Sequence, residues 1–471
     1  MKTECSQRQL EFQGIGGRKV VGEFAGGTIT SDAGALLLRE ADRTHSLLKR
    51  FAECFADHRN PKLIEHPVEQ LVAQRVIGLC LSYEDLNDHE FLRKDPLLAA
   101  VCGQGDVEGR RRRRRRDRGA ALAGKSTLNR LELAASDGGA PHRYRKIVVH
   151  PYSIDELLID VFLEQYRQAP EEIVLDVDAT DDPLHGNQEG RFFNGYYDRW
   201  CYLPLYIFCG QHLLHARLRR SDCDPLQGVL PALAMIYGKV AGRWPDTRIV
   251  VRGDSAFCRE EVMSFCERRK LHYVLGLAKN SIVTEMLAPT MAMSKEQYLH
   301  DAGPTIRRYA DLNYRTTSRS WSRTRRVVGK AEFSAAGENP RFVVTSFSGE
   351  ECDAQTLYEQ KYCARGDMEN RIKEQQLYLF ADRTSTGLFK ANQLRLWFSS
   401  IAYVLMHLLR SIGCAGTEFA GAQCHSLRLR LLKIGALVKL SVRRVTVHMA
   451  SGYPYQDQFR RIYANLQRAA P

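Results

Sequence analysis

The stretch EEIVLDVDAT (171–180) decides the fold. Ile173, Val174 and Leu175 make a short apolar run rich in β-branched residues and bounded by charge, the pattern of a buried strand. The run closes on two aspartates. Strand side chains alternate, so Asp176 and Asp178 share one face. RIVVRGD (248–254) repeats the pattern and ends at Asp254. Between the two, YLPLYIFC (202–209) and HLLHARL (212–218) read as strands joined by a turn containing Gly210, and Asp224 through Trp244 as a long helix. Strand, strand, strand, helix, strand predicts a mixed sheet with helical cover, in a multidomain α/β chain.

Upstream, Ser31 and Asp32 are candidate caps for a helix carrying Ala35, Leu36, Leu38 and Ala41. After Pro67, the residues Val68, Leu71, Val72, Val76, Ile77 and Leu81 recur at helical spacing. Arg110–Arg116 are seven consecutive arginines, followed by Asp117 and Arg118. Charge this dense repels itself, so 110–118 reads as a solvated linker or flexible arm. Such an arm either has no specific job or attracts phosphates without reading sequence.

Downstream, RRVVGKAEF (325–333) and RFVVTSF (341–347) suggest an antiparallel pair around Gly337–Pro340, and Leu357 to Arg410 is helical. The apolar stretch Leu396–Leu409, interrupted by His407, falls short of a membrane span and reads as a buried helix. SVRRVTVHM (441–449) alternates basic and apolar residues. These changes divide the chain at 1–130, 145–280, 281–352, 353–415 and 416–471.

The 471 residues are 44% hydrophobic and 26% charged, which excludes a collagen-like or wholly disordered chain. Lys and Arg outnumber Asp and Glu by 68 to 55, a net charge of +13, which favours polyanionic partners, nucleic acid ahead of a membrane surface. Thirteen cysteines without a CxxC pair support neither a zinc ribbon nor a thioredoxin motif. Reduced, mostly buried thiols in a cytoplasmic compartment are expected. The opening MKTECSQRQLEFQGIGG lacks an apolar signal segment, and a soluble protein is expected.

GAALAGKS (119–126) has the spacing of a phosphate-binding loop, but such a loop needs a buried strand before it. Seven arginines, Asp117 and Arg118 cannot supply one, so ATP binding is excluded and Ser126 is expected to cap a helix. Gly253-Asp254-Ser255 has no histidine base in its neighbourhood, and Ser255 reads as a strand-end cap. His185 reads as a loop hydrogen-bonder. The acidic strand ends are more informative, because Asp176 or Asp178 together with Asp254 offers hard oxygen ligands suited to Mg²⁺. Tyr362, Arg365, Glu369 and Lys373 follow at steps of three or four and so share a helix face. Alone, that face reads as an ordinary exposed Arg–Glu–Lys ladder.

Taken together, Tyr-x2-Arg-x3-Glu after aspartates in DxT and RGDS contexts resembles the DDE transposases of bacterial insertion sequences. The likeness is to the group with a Tyr–Arg–Glu–Lys signature and an RNase H-like catalytic core. ITSDAG (29–34), DVDATDDPLHGNQEG (176–190), FNGYYDR (193–199), CYLPLY (201–206), RGDSAFCRE (252–260) and YCARGDMENRIKEQQ (362–376) carry the resemblance, across residues 28–450. It implies Asp178, Asp254 and Glu369 as the catalytic and metal-binding triad, with Tyr362 and Arg365 as signature partners at the DNA. Asp178 is preferred to Asp176 because Thr180 completes Asp-x-Thr. The signature lysine belongs where this chain has Gln376; Lys373, one turn after Glu369, is the candidate replacement at the phosphate.

The resemblance further implies two Mg²⁺ or Mn²⁺ ions, strand hydrolysis at element ends, and 3′-OH attack on target DNA. The partners would be double-stranded DNA (terminal inverted repeats and target) and a second copy of the chain as a homodimer on paired ends, with no membrane and no ATP. It places a β-rich insertion at 281–352. There, residues 305–330 hold seven arginines interleaved with Tyr309, Tyr314 and Trp321. Trp321, Arg323, Arg325 and Arg326 are the candidate stacking and phosphate-contacting residues. End recognition is expected in the helical region before residue 130. The alternative is an RNase H-like DNA-binding protein that has lost catalysis, which Gln376 favours.

Overall fold

The computed structural model describes residues 9–134, 146–301, 305–317 and 320–470. The chain forms two compact units. One is Leu133–Gly139 with Val149–Ser400; the other combines Met1–Glu132, Ala140–Val148 and Ile401–Pro471.

The first unit is built on one mixed sheet. Its strands are β1 (Glu172–Ala179), β2 (Leu205–Cys209), β3 (His212–Arg217), β4 (Arg248–Gly253), β5 (His272–Leu277), β6 (Ile306–Tyr314), β7 (Arg325–Ser334) and β8 (Arg341–Thr345). They lie in the order β3-β2-β1-β4-β5-β8-β7-β6, with the two-residue strand Gly337–Glu338 pairing off β7. The centre, β1-β4-β5, is parallel and the flanks are antiparallel. Continuous apolar runs such as IVL and IVV suit strands covered on both faces. On one face Ile173, Leu175, Val177, Ile249 and Val251 pack with helices α1 (Pro151–Glu164), α2 (Val229–Arg243) and α3 (Glu260–Arg268). On the other, Val250, Val274, Val328 and Val343 pack around Phe347 and Leu357. Alternation therefore turns Asp176 and Asp178 to this second face, as the sequence predicts.

The pairing around Gly337–Pro340 is present as β7 against β8. The interval 281–352 differs in one respect. It opens with a 21-residue helix, α4 (Ser281–Asp301), and its strands continue the central sheet through β5–β8 pairing. Buried residues Val283 and Leu287 dock α4 on that sheet, and Gly329 lies close under Leu287.

In the second unit both chain ends meet. Strand Ala436–Leu440 pairs with Val445–Met449 and with Ile29–Thr30. ITSDAG is the joint. The Ala33 and Gly34 amides donate to the carbonyls of Ile434 and Leu432, and a Cβ on Gly34 would lie 1.8 Å from the Leu431 carbonyl oxygen. Asp32 does not cap the helix Ala35–Arg43. It is buried, 2.7 Å from the Lys433 ammonium, and accepts the Tyr83 hydroxyl at 2.8 Å. Helix Val68–Cys80 is almost wholly buried, and its Arg75 pairs with buried Glu132 at 2.7 Å.

The arginine run is not a free arm. Gly109 and Gly119, both at positive φ, close a loop through a 3.2 Å amide-to-carbonyl bond. Asp106 accepts the amides of Arg110 and Arg111, and mostly buried Arg112 pairs with Glu65 at 3.0 Å. Local carboxylates and two glycines thus overcome the repulsion that the sequence alone suggests. The following helix begins at Lys125, so Ser126 lies in its first turn and does not cap it.

Helix Phe389–Gly413 is longer than the apolar stretch Leu396–Leu409. By length and composition it could cross a membrane, but 89% of its most apolar window is buried inside the protein. Nine of the twelve described cysteines are buried and none is in a disulfide; Cys363 is exposed, and Cys5 lies outside the described residues.

Candidate active site

Asp176 and Asp178 have different fates. Arg252 on β4 stands directly across from Asp176 in the parallel register and grips both its oxygens, one at 2.8 Å. The same guanidinium donates to the Lys361 carbonyl. One buried ion pair thus ties β1 and β4 to the segment that leads into helix α5 (Gly366–Leu379). Two residues on, Asp178 has no strand partner for its charge. Arg365 reaches it at 3.3 Å and Glu369, one turn further along, at 2.9 Å. The guanidinium is the cation between two carboxylates from distant parts of the chain.

Asp254 ends β4. It caps the turn Ser255–Phe257 by accepting the Ala256 amide at 2.9 Å, so the cap is Asp254 and not Ser255. Burial pushes the Asp178 carboxyl up to about 6; Arg365 opposes this, and the charges of Asp254 and Glu369 add to the rise. Asp178 therefore feels both other carboxylates at the end of the sheet. Such a cluster favours a bound cation. Among the described residues, no three His, Cys, Asp or Glu side chains are gathered closely enough to hold an ion as they stand. Oxygen donors in mutual repulsion, bridged by an arginine, nevertheless have the right chemistry for a hard divalent ion.

Tyr362 belongs to a wide π-type turn (Leu357–Tyr362) ahead of α5, a conformation often found at functional sites. Its hydroxyl lies over Gly276, where a Cβ would come within 2.6 Å, next to the Asp254–Ser255 backbone. Beside Asp254 a pocket of about 330 Å³ is lined by Lys279, Asn339, Arg341, Tyr358 and Tyr362. Lys373 is exposed on α5 with no carboxylate partner among the described residues, and Gln376 donates to the Asp181 carbonyl at 3.2 Å.

A family profile described as "Transposase DDE domain group 1" matches residues 12–471. The chain belongs to this family. It is a transposase, and DDE transposase domains generally use divalent metal ions. No curated protein matches the chain. Among solved structures, the cryo-EM structure of a piggyBac transposase synaptic complex with hairpin DNA is similar, at 10% identity and a TM-score of 0.40. The match covers 94% of this chain and 86% of that one.

The transposase does not present its second set of candidate residues as the sequence suggests. Trp321 is 4% exposed, edge-on to Tyr314 and beneath the Arg325 guanidinium, so neither ring face is offered to a base. Arg325 is buried between Glu260 and Glu267 of α3, at 2.8 and 2.7 Å. Arg326 is held by Asp311 and by the carbonyls of Phe347, Ser348 and Cys352. Arg323 alone of the four stays exposed.

Sequence reasoning missed three residues at the candidate site: Arg252, Gly276 and Tyr197. Burial and the charges of Asp181, Asp178 and Asp254 push the Tyr197 hydroxyl up to about 12, and it reaches the Ala179 carbonyl at 3.5 Å. FNGYYDR was the available signal for Tyr197. Arg252 stands inside RGDS, but its partner across the sheet is set by strand register.

Proposed function

We propose that this transposase cuts and joins DNA at the site formed by Asp178, Asp254 and Glu369, as the enzyme of a bacterial insertion sequence. The observation that carries the reading is the meeting of Asp178 with Glu369 through Arg365 while Asp176, its rival, is committed to Arg252. Two neighbouring parallel strands that each end in a candidate carboxylate support an RNase H-like core.

The three carboxylates would hold two Mg²⁺ or Mn²⁺ ions. When bound, these ions would lower the pKa of a water and offset charge at the scissile phosphate. The protein's own groups do the rest. Arg365 neutralises phosphate oxygens once it is released from the carboxylates, and the Tyr362 hydroxyl donates a hydrogen bond beside Asp254. Lys373, free on the same helix, supplies the ammonium that Gln376 does not. The 3′-OH freed by hydrolysis is the nucleophile that joins the element to target DNA. Residues 1–130 recognise the terminal inverted repeats, and a homodimer pairs the two ends, in the bacterial cytoplasm.

The test is a supercoiled donor plasmid carrying both element ends, incubated with Mg²⁺ and no ATP. Wild-type protein cleaves it. Asp178→Ala, Asp254→Ala and Glu369→Ala each abolish cleavage while end binding survives, because these carboxylates serve the metals and not sequence readout. A variant that still cleaves near-normally removes that residue from the triad. Wild-type protein that binds ends without cutting them supports the reading in which catalysis is lost.

A further inference from the structure

The unit containing both chain ends holds a cleft of about 960 Å³. Three carboxylates line it, and each is already engaged: Glu65 by Arg112, and Glu90 and Asp117 by Arg93. Against them stand Arg113, Arg114, Arg116, Lys125, Arg130 and Lys146, none with a carboxylate partner among the described residues. Six uncompensated cations facing one cavity repel one another, and the loop closed by Gly109 and Gly119 keeps four of the seven arginines there. Arg112 fixes the inner wall. Its guanidinium lies between Glu65 and the ring of buried His66. No Phe, Tyr or Trp lines the cleft, and its apolar wall is only Leu63 and Ile64, so it lacks the large aromatic platforms on which unpaired bases stack. The hydroxyls of Ser126 and Thr127 add neutral donors.

We propose that this cleft seats the phosphate backbone of duplex DNA in one fixed register, through Arg113, Arg114, Arg116 and Arg130. The inference rests on the reading of the chain as a DNA-cutting transposase. It goes beyond that reading by separating arginines that are adjacent in sequence. Arg113, Arg114 and Arg116 face the cleft, whereas Arg110, Arg111 and Arg115 do not. A flexible polycation would use all of them alike. A built cleft uses only the first set.

The experiment compares two full-length variants of equal charge, R113S/R114S/R116S and R110S/R111S/R115S, binding a random-sequence duplex across a salt series. The first should lose roughly 10-fold or more in affinity, with a salt slope shallower by about 2 to 3, near 0.9 for each phosphate contact removed. The second should stay within about twofold of wild type. Arg130→Ala, on a helix outside the loop, should flatten the slope by about 1 and so tests the cleft without disturbing the loop. Equal losses in the two triple variants, or no loss in either, would overturn the cleft. Stoichiometric inorganic tripolyphosphate displacing the duplex at constant ionic strength would reassign it to a free polyphosphate. Wild-type protein that fails to bind duplex DNA even at low salt defeats the DNA-cutting reading itself, a different outcome from equal losses.

Discussion

Two arginine-rich stretches, 305–330 and 110–118, end in opposite electrostatic states. In the first, the fold delivers carboxylates to four of the six described arginines: Glu332 to Arg307, Glu267 to Arg323, Glu260 and Glu267 to Arg325, and Asp311 to Arg326. Tyr314 turns inward, and Trp321 joins the core. In the second, Glu65, Glu90 and Asp117 are consumed by Arg93 and Arg112, and Arg113, Arg114 and Arg116 face an open cleft. Positive charge in the sequence marks a polyanion site only where the fold leaves it unanswered. The count that matters is of carboxylates arriving from elsewhere in the chain.

The strongest way to break this contrast is Trp321→Ala. If the ring is core, its removal destabilises the protein by about 3 kcal/mol or more, the usual cost of a large-to-small aromatic truncation. DNA affinity per folded molecule stays unchanged. Denaturant unfolding together with binding at a temperature where the variant is fully folded measures both. A stable Trp321→Ala protein with weakened DNA binding would return the residue to the interface.

The contrast also shows what was legible in the sequence. IVLDVD and RIVVRGD gave their strands and the shared face of Asp176 and Asp178, because local periodicity fixes both. Which aspartate stays free was not readable from spacing. It depends on Arg252 standing across from Asp176 in a register that only the assembled sheet defines. The Arg365–Glu369 contact was legible as a helical step, whereas its reach to Asp178 was not. The role of ITSDAG as a joint was equally hidden, since Gly34 is constrained by Leu431, at the far end of the chain.

A smaller effect in each region comes from protons. Burial raises the Glu260 carboxyl, but hydrogen bonds from Arg325, Ser264 and Ser322 reverse this and take it down to about 2. A depressed acid stabilises the fold above its unfolded value of 4.5, and that contribution is lost as pH falls from there towards 2. In the other stretch, burial and the Arg112 charge push His66 down to about 4 from 6.5. The unfolded chain then binds the proton first, so the cleft loses stability as pH falls from 6.5 towards 4. Hydrogen exchange should show helix Val68–Cys80 loosening in the upper window and β7 in the lower one. His66→Gln should flatten only the first and Glu260→Gln only the second. Loosening of both elements in a single window would mean that the two stretches do not differ in this way.

The smallest expected effect is at Arg323, the one of the candidates Trp321, Arg323, Arg325 and Arg326 that the fold leaves exposed. Its side chain is 66% exposed and lies 3.4 Å from Glu267, a carboxylate that Arg325 already holds at 2.7 Å. An exposed pair sharing an occupied partner contributes under about 0.5 kcal/mol, so Arg323→Ser should leave unfolding unchanged. If Arg323 meets a phosphate when DNA is bound, the salt slope should fall by at most about 0.9, the value of one duplex contact. A larger fall would require Arg325 or Arg326 to leave its carboxylates on binding. In that case the inward-turned stretch would be a store of cations released by DNA, and the difference between the two regions would be one of state and not of architecture.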